Sequence, residues 1–166
     1  MAQVIPKNSS PVNQRGLGDK AFLFGWNPTK FAWADIVDDI ETLKTTGKFE
    51  ENWSVASHKT IKPGDRAYVV RLGTEPKGIF ASGFITSEPY LASRRGRIYH
   101  RINIGFDVLL NPNTEQILTF DILKTGNLAE QNWSPQASGI SIRPHLIDEV
   151  EGVWLDFLSN TYYGEL

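Results

Sequence analysis

The chain has 166 residues, 40% hydrophobic and 22% charged, which is one domain's length with enough apolar side chains for a real core and excludes a wholly disordered chain. It contains no cysteine, which excludes disulfides, thiolate nucleophiles and Cys-bound zinc or iron–sulfur sites, and its net charge of −2 means that it is not globally basic. No run of about eighteen apolar residues exists to span a membrane, and Met1–Gln14 lack a basic-then-apolar leader pattern, so a cytoplasmic location is expected.

Residues 1–19, rich in Pro, Asn, Ser and Gly, read as a flexible lead-in to a domain over 20–160, with 161–166 as a C-terminal tail. Ala21–Trp26 (AFLFGW) reads as a buried first strand. Trp33–Thr45 reads as a helix, with Ile36, Val37, Ile40 and Leu43 at helical spacing and Gly47 as its stop. Residues 49–64 read as a polar connection closed by the turn Lys62-Pro63-Gly64-Asp65. Arg66–Leu72 and Ile79–Ser87 read as a hairpin about the turn Gly73–Gly78. Ala81, Ser82 and Gly83 leave room there for another backbone or a ligand. Tyr99–Leu110 alternates cleanly, with Ile102, Ile104, Phe106, Val108 and Leu110 on one face, as a half-buried strand does. Ile117–Leu123 reads as a short helix or turn, 132–142 as a polar loop, and His145–Ser159 as a final helix with Leu146, Val150, Trp154 and Leu158 spaced by four. The expected fold is α+β: a small, mostly antiparallel barrel or strongly curved sheet of about five to six strands, flanked by helices.

A catalytic constellation is hard to assemble. His58, His100 and His145 stand at no metal-ligand spacing, and neither a nucleophile elbow nor a P-loop occurs. Asp65 followed by Glu75-Pro76-Lys77 resembles the acid, acid-x-Lys pattern of metal-dependent nucleases, in which carboxylates hold Mg²⁺. That chemistry needs the triplet on a strand, and Pro76 between Gly73 and Gly78 puts it in a turn. No catalytic residue, metal site or cofactor is therefore assigned.

A binding pocket has better support. The tripeptides Asn52-Trp53-Ser54 and Asn132-Trp133-Ser134 are identical and lie in polar stretches, and Trp26-Asn27 ends the first strand. Tryptophan beside Asn and Ser offers a flat π-surface next to hydrogen-bonding groups, which suits a planar heterocycle. Such tryptophans can equally plug the ends of a barrel. Charge is also uneven. His58–Arg101 carries nine Lys/Arg against three acids, between an acidic stretch at 35–51 and an acidic C-terminal part. Within it Arg94-Arg95-Gly96-Arg97, with Arg101, reads as a flexible basic loop suited to phosphates, or as a solvated turn.

The order of these motifs resembles the PUA-like EVE and YTH domains. The segment NWSVASHKTIKPGDRAYVVRLGTEPKGIFASGFITSEPY (52–90) carries most of the resemblance. NWSPQASGISI (132–142), followed by a helix with Trp154, is similar to the prokaryotic EVE-type subgroup, which often stands ahead of an HNH nuclease in modification-dependent restriction enzymes. The resemblance implies a compact PUA-like β-barrel with flanking helices and an aromatic-walled pocket for one modified base. It implies that Trp53 lines the pocket and that Asn52 and Ser54 bond the base edge. It also implies that Arg71, Leu72 and Gly73 lie at the strand end below the pocket, and that Ser87 and Tyr90 begin the closing loop. Trp26, Asn27, Trp133, Gln136 and Ser138 complete the expected base-binding set, and Arg94, Arg95, Arg97 and Arg101 the phosphate-binding set.

The function expected is a reader that captures a flipped base, with 5-methyl- or 5-hydroxymethylcytosine in DNA favoured and RNA as the other polymer. Any cleavage would fall to an HNH-type nuclease partner, since the chain has no such pattern. The alternatives are a small-molecule or nucleotide-binding regulatory domain using the same pocket without polymer contact and, third, a metal-dependent nuclease.

Overall fold

The computed structural model describes residues 19–163; nearly all of the expected lead-in, and the end of the expected tail at 164–166, lie outside them. Strand β1 (Ala21–Trp26) runs parallel to β3 (Arg66–Arg71), with Ala21 beside Arg66 and Trp26 beside Arg71. Both are buried on both faces, which is why AFLFGW is apolar without alternating. A parallel pair cannot be closed by a tight turn, and the long connection holds α1 (Ile36–Thr46) and β2 (Glu50–Ser54).

Helix α1 starts three residues later than its periodicity predicts. Trp33 and Ala34 precede it, and the Asp35 carbonyl accepts the Asp39 amide at 2.8 Å. Ile36, Ile40 and Leu43 are buried, whereas Val37, expected on the same face, is 65% exposed because it lies about 100° round the helix from Ile36. Gly47, at φ 76°, ends the helix and returns its amide to the Leu43 carbonyl. Strand β2 corrects the expected polar connection. Its five residues pair antiparallel with β6 (Arg97–Leu109), from Glu50 opposite Gly105 to Ser54 opposite Arg101. It is an edge strand with few apolar residues, so composition alone conceals it.

The rest follows more nearly as expected. Strand β4 (Gly78–Ile85) forms the hairpin with β3 and continues into β6. Strand β5 (Tyr90–Arg94) pairs with the first part of β6. Leu118–Thr119 adds a two-residue β7 to β4 before the one-turn α2 (Phe120–Leu123), and Ile140–Ser141 adds β8 to β1 inside the expected polar loop. Helix α3 (Ile147–Leu158) begins after a short turn that holds His145 and the buried Leu146. The sheet path is β2-β6-β4-β3-β1-β8, a strongly curled half-barrel with three helices, so the α+β class is as expected. Register shifts at Val69/Val70 and Ser82/Gly83 help it curl. At Gly83 a Cβ would lie 2.3 Å from the Gly105 carbonyl oxygen, so the sparse side chains there admit the backbone of β6.

A buried cation ties this sheet to α3. Arg66, 1% exposed, donates to Glu151 through Nε (3.0 Å) and Nη2 (3.3 Å), and to Asp107 (2.9 Å) and the Gly83 carbonyl (3.1 Å) through Nη1. The Tyr68 hydroxyl donates to Glu151, Ser82 to Asp107 at 2.6 Å, and the Trp154 indole to Ser82 at 3.0 Å. Burial alone would lower the Arg66 pKa, but the Asp107 and Glu151 charges overcome it and raise it. The Tyr68 hydroxyl is pushed well up, by burial first and by the Glu151 charge second. Arg66→Met should cost about 3–5 kcal/mol in urea unfolding, because it strands Glu151 without its partner; adding Glu151→Met should recover part of that loss.

Asp65, next to Arg66, is fully buried and accepts the Lys62 amide at 2.9 Å. Burial raises its carboxyl pKa, opposed by the amides and charges of Lys62 and Lys20. A folded-state pKa above the unfolded value favours the protonated form in the fold. The resulting stability is present below the unfolded pKa of about 3.9 and is lost as pH rises through the folded value. The stability of Asp65→Asn relative to the parent should therefore rise across that window and level off above it, as measured by unfolding at a series of pH values.

Candidate functional site

Three tryptophans meet where β1 ends. Trp26 and Trp33 make an edge contact with centroids 5.7 Å apart, and Trp33 and Trp53 another at 5.6 Å. Phe80 and Phe106 support them from the sheet, at 5.4 Å from Trp26 and 6.4 Å from Trp53. Polar bonds fix each ring. The Trp26 indole donates to the Phe31 carbonyl (2.8 Å), Trp33 to Asp39 Oδ2 (2.8 Å) and Trp53 to the Gly25 carbonyl (3.2 Å). The Gly25 amide in turn donates to Ser138 Oγ at 3.0 Å, so β1 holds one edge of the site through both backbone groups of a single glycine.

Above these rings is a cavity of about 420 Å³, within the ~300–1,000 Å³ usual for small-ligand sites. Trp26, Trp33, Trp53 and Phe31 give it aromatic walls; Asp35, Asp39 and Glu51 give it carboxylates; Arg94 and Arg101 give it guanidiniums. Arg101 is only 8% exposed. Its Nε donates to Asn52 Oδ1 (2.5 Å), Nη1 to Ser54 Oγ (2.9 Å) and Nη2 to the Asn52 carbonyl (3.4 Å). Burial and the neighbouring Arg94 charge lower its pKa, against Tyr90 and Glu51. Asn52 and Ser54 thus hold Arg101 at the cavity edge.

A second cavity, of about 570 Å³, adjoins the first. Gly25, Phe31 and Ser138 border both. Asn27, Leu72, Gly73 and Gln136 line the second one, together with Lys30 and Lys77. Nine members of the expected base-binding set are therefore divided between the two: Trp26, Asn52, Trp53, Ser54 and Ser138 at the aromatic cavity, and Asn27, Leu72, Gly73 and Gln136 next door.

Four expected members stand elsewhere. Trp133 is 1% exposed and its indole bonds the Leu128 carbonyl at 2.8 Å, so it is a core plug although its tripeptide matches that of Trp53. Arg71 is buried and donates to the Pro76 and Glu75 carbonyls and to Asn113, which braces the 73–77 turn. Ser87 accepts the Asn103 amide, and the Tyr90 hydroxyl donates to Asn103 Oδ1 at 2.6 Å, so both brace the link from β4 to β5.

The basic loop is also corrected. Arg95 and Gly96, at φ 53° and 78°, form a tight two-residue hairpin turn between β5 and β6. The Arg94 and Arg95 guanidiniums lie over the Phe31 ring at 4.3 and 5.7 Å. Arg97 shares the exposed hairpin tip, while Arg101 belongs to the aromatic cavity.

Sequence reasoning missed Trp33, Phe31 and the carboxylates of the first cavity, and Lys30 and Lys77 of the second. Trp33 was absorbed into the helical spacing of α1; the signal available was its place in the aromatic segment Phe31-Ala32-Trp33, directly after a proline turn. Elsewhere, Glu75-Pro76-Lys77 lies in a turn, with Lys77 Nζ 3.9 Å from Glu75. The His58 and His100 rings stack in parallel at 3.5 Å, away from both cavities. Among the described residues no group of three His, Asp or Glu side chains is placed to hold a metal ion, and no helix is long and apolar enough to cross a membrane.

The fold and this cluster define a class: an α+β, strongly curled half-barrel with an aromatic cluster at the end of β1. Two solved structures share the fold. A hypothetical protein from Leishmania major aligns over 82% of this chain and 95% of its own, at 13% identity and a TM-score of 0.56. Protein PSPTO5229 from Pseudomonas syringae aligns over 80% of this chain and 98% of its own, at 17% identity and a TM-score of 0.53. At these identities the likeness is one of fold. No protein-family model matches the chain, and no curated protein matches it.

The two tripeptide tryptophans should separate on mutation. Trp133→Ala should cost about 3–5 kcal/mol of stability, as truncation of a fully buried aromatic does, measured as a shift in the urea midpoint.

Proposed function

We propose that the protein is a nucleic-acid reader that captures one modified base, flipped out of its stack, in the aromatic cavity. The observation that carries this reading is the set of three tryptophans around one cavity, next to an arginine held in place by Asn52 and Ser54. Stacking on an aromatic ring contributes roughly 1–3 kcal/mol per base, which offsets the few kcal/mol needed to unstack one. Asp39, Glu51 and Arg101 supply acceptors and donors for the edge of a heterocycle.

The favoured ligand is DNA carrying 5-methyl- or 5-hydroxymethylcytosine, with RNA the other polymer and a separate HNH-type nuclease the partner for cleavage. A buried methyl is worth only about 0.8 kcal/mol, so strong selectivity also requires the cavity to penalise the unmodified base.

The experiment is titration of matched oligonucleotides that differ in one modified base, at several salt concentrations. Polymer binding weakens steeply with salt; binding of a nucleotide without salt dependence would instead favour a regulatory domain that uses the same cavity. Trp53→Ala should weaken oligonucleotide binding by about 1–3 kcal/mol and leave the fold standing, since its ring is only partly buried. A variant that unfolds would make Trp53 a core plug like Trp133.

A further inference from the structure

We propose that the second cavity is a phosphate subsite, in which Lys30 and Lys77 hold the phosphodiester next to the captured base; this deepens the base-capture reading and rests on it. The two cavities meet at Phe31, so a strand leaving one enters the other across that ring. Their charges differ in kind. Three carboxylates and two guanidiniums line the first cavity, whereas two lysines and no carboxylate line the second. A phosphodiester is therefore repelled at Asp35, Asp39 and Glu51 and attracted to the lysine pair.

The cations of the first cavity are also engaged. Arg101 spends Nε and both terminal nitrogens on Asn52 and Ser54, and Arg94 lies over Phe31. Lys30, by contrast, makes no ion pair among the described residues, and Lys77 faces Glu75 only across an exposed 3.9 Å contact, which is worth little.

Both lysines stand on braced loops. The Asn27 carbonyl accepts the Lys30 amide at 3.0 Å, and Asn27 Oδ1 takes the Thr29 amide and hydroxyl. The Asn27 side chain lies against Gly73, where φ is 77° and a Cβ would sit 2.3 Å from Asn27 Oδ1. Only glycine lets the Lys30 turn lie this close to the turn that carries Lys77. Arg71 fixes that second turn by its bonds to the Glu75 and Pro76 carbonyls.

The test uses the isotope-labelled full chain, titrated with inorganic phosphate, 2′-deoxycytidine and 2′-deoxycytidine 5′-monophosphate. Affinity is measured for a single-stranded DNA bearing one 5-methylcytosine and for its unmodified twin. Phosphate and the monophosphate should shift the Gly73 and Ser134 amide resonances, and the nucleoside should not. Lys30→Ala with Lys77→Ala should abolish those shifts and weaken oligonucleotide binding roughly tenfold or more. The double variant should also flatten the slope of log affinity against log salt by about 0.7 per lost contact, with the modified-base preference kept. Lys30→Arg with Lys77→Arg should restore binding.

Unshifted Gly73 and Ser134 amides with both phosphates, or unchanged affinity and salt slope in the alanine variant, would overturn the subsite. Loss of the base preference at constant affinity would also overturn it, since the cavity would then read bases. Failure of the base-capture reading looks different: the Trp33 and Trp53 indole resonances would stay unmoved by oligonucleotide and nucleoside alike.

Discussion

The Arg66 guanidinium is the constraint on which the rest of the molecule depends. Helix α3 packs against the sheet, with Glu151 on Arg66 and Tyr68 and Trp154 on Ser82. Apolar packing by Val150, Trp154 and Leu158 supplies the burial, but apolar contact is not directional. Arg66 adds direction: its planar fork reaches Glu151 on α3, Asp107 on β6 and a carbonyl on β4 at once. Sliding the helix or slipping a strand would strand a charge in the interior, which costs far more than a lost methylene contact. The network thus fixes the register of β3, from which the site is built.

Strand β3 is bounded by two buried arginines with separate tasks. Arg66 at its start locks the sheet to α3; Arg71 at its end holds the turn that follows. Between them the parallel pairing carries β1 along in register, so Trp26 emerges beside Arg71. Trp26 is consequently delivered to the end of the sheet, where Phe80 supports it and the 27–35 loop brings Trp33 over it. Trp53 arrives from the opposite edge on β2, aligned by pairing with β6. The aromatic cluster is therefore assembled from three separate segments, each registered by backbone pairing or by a side chain bonded to backbone, which gives the preorganisation a recognition site needs.

The elements legible in the sequence were those whose pattern has one physical cause. The alternation of 99–110 reports one buried face, and AFLFGW reports a strand buried on both. Strand β2 was not legible, because Glu50-Glu51-Asn52-Trp53-Ser54 is an edge whose stability comes from hydrogen bonds to β6 rather than from burial. The site was half legible for a related reason. Tryptophan beside Asn and Ser singled out Trp53, which lines the aromatic cavity, but the same tripeptide recurs at Trp133, where the neighbouring Asn132 caps the Ser134 amide and the ring turns inward. Local chemistry states what a side chain can offer; which way it faces is decided by the segment's path. Trp33 fits helical spacing with α1 yet lies before the helix starts, and only the cap at Asp35 separates the two.

Charge carries the same lesson further. The basic stretch His58–Arg101 suggests one phosphate-facing surface, but folding disperses it. Arg66 and Arg71 are 1% and 2% exposed and bond within the protein, and Arg101, at 8%, is held between Asn52 and Ser54. Arg94 and Arg95 lie on an aromatic ring. A guanidinium whose donors are satisfied by neighbours positions those neighbours, and it has less capacity left for an anion. Meanwhile the acidic stretch contributes Asp35, Asp39 and Glu51 to the very cavity that the aromatic rings define. The total charge of a linear segment therefore does not locate an anion site. What locates it is the balance between committed and uncommitted charges around each cavity, and by that measure an uncharged, hydrogen-bonding ring suits the aromatic cavity better than a phosphate does.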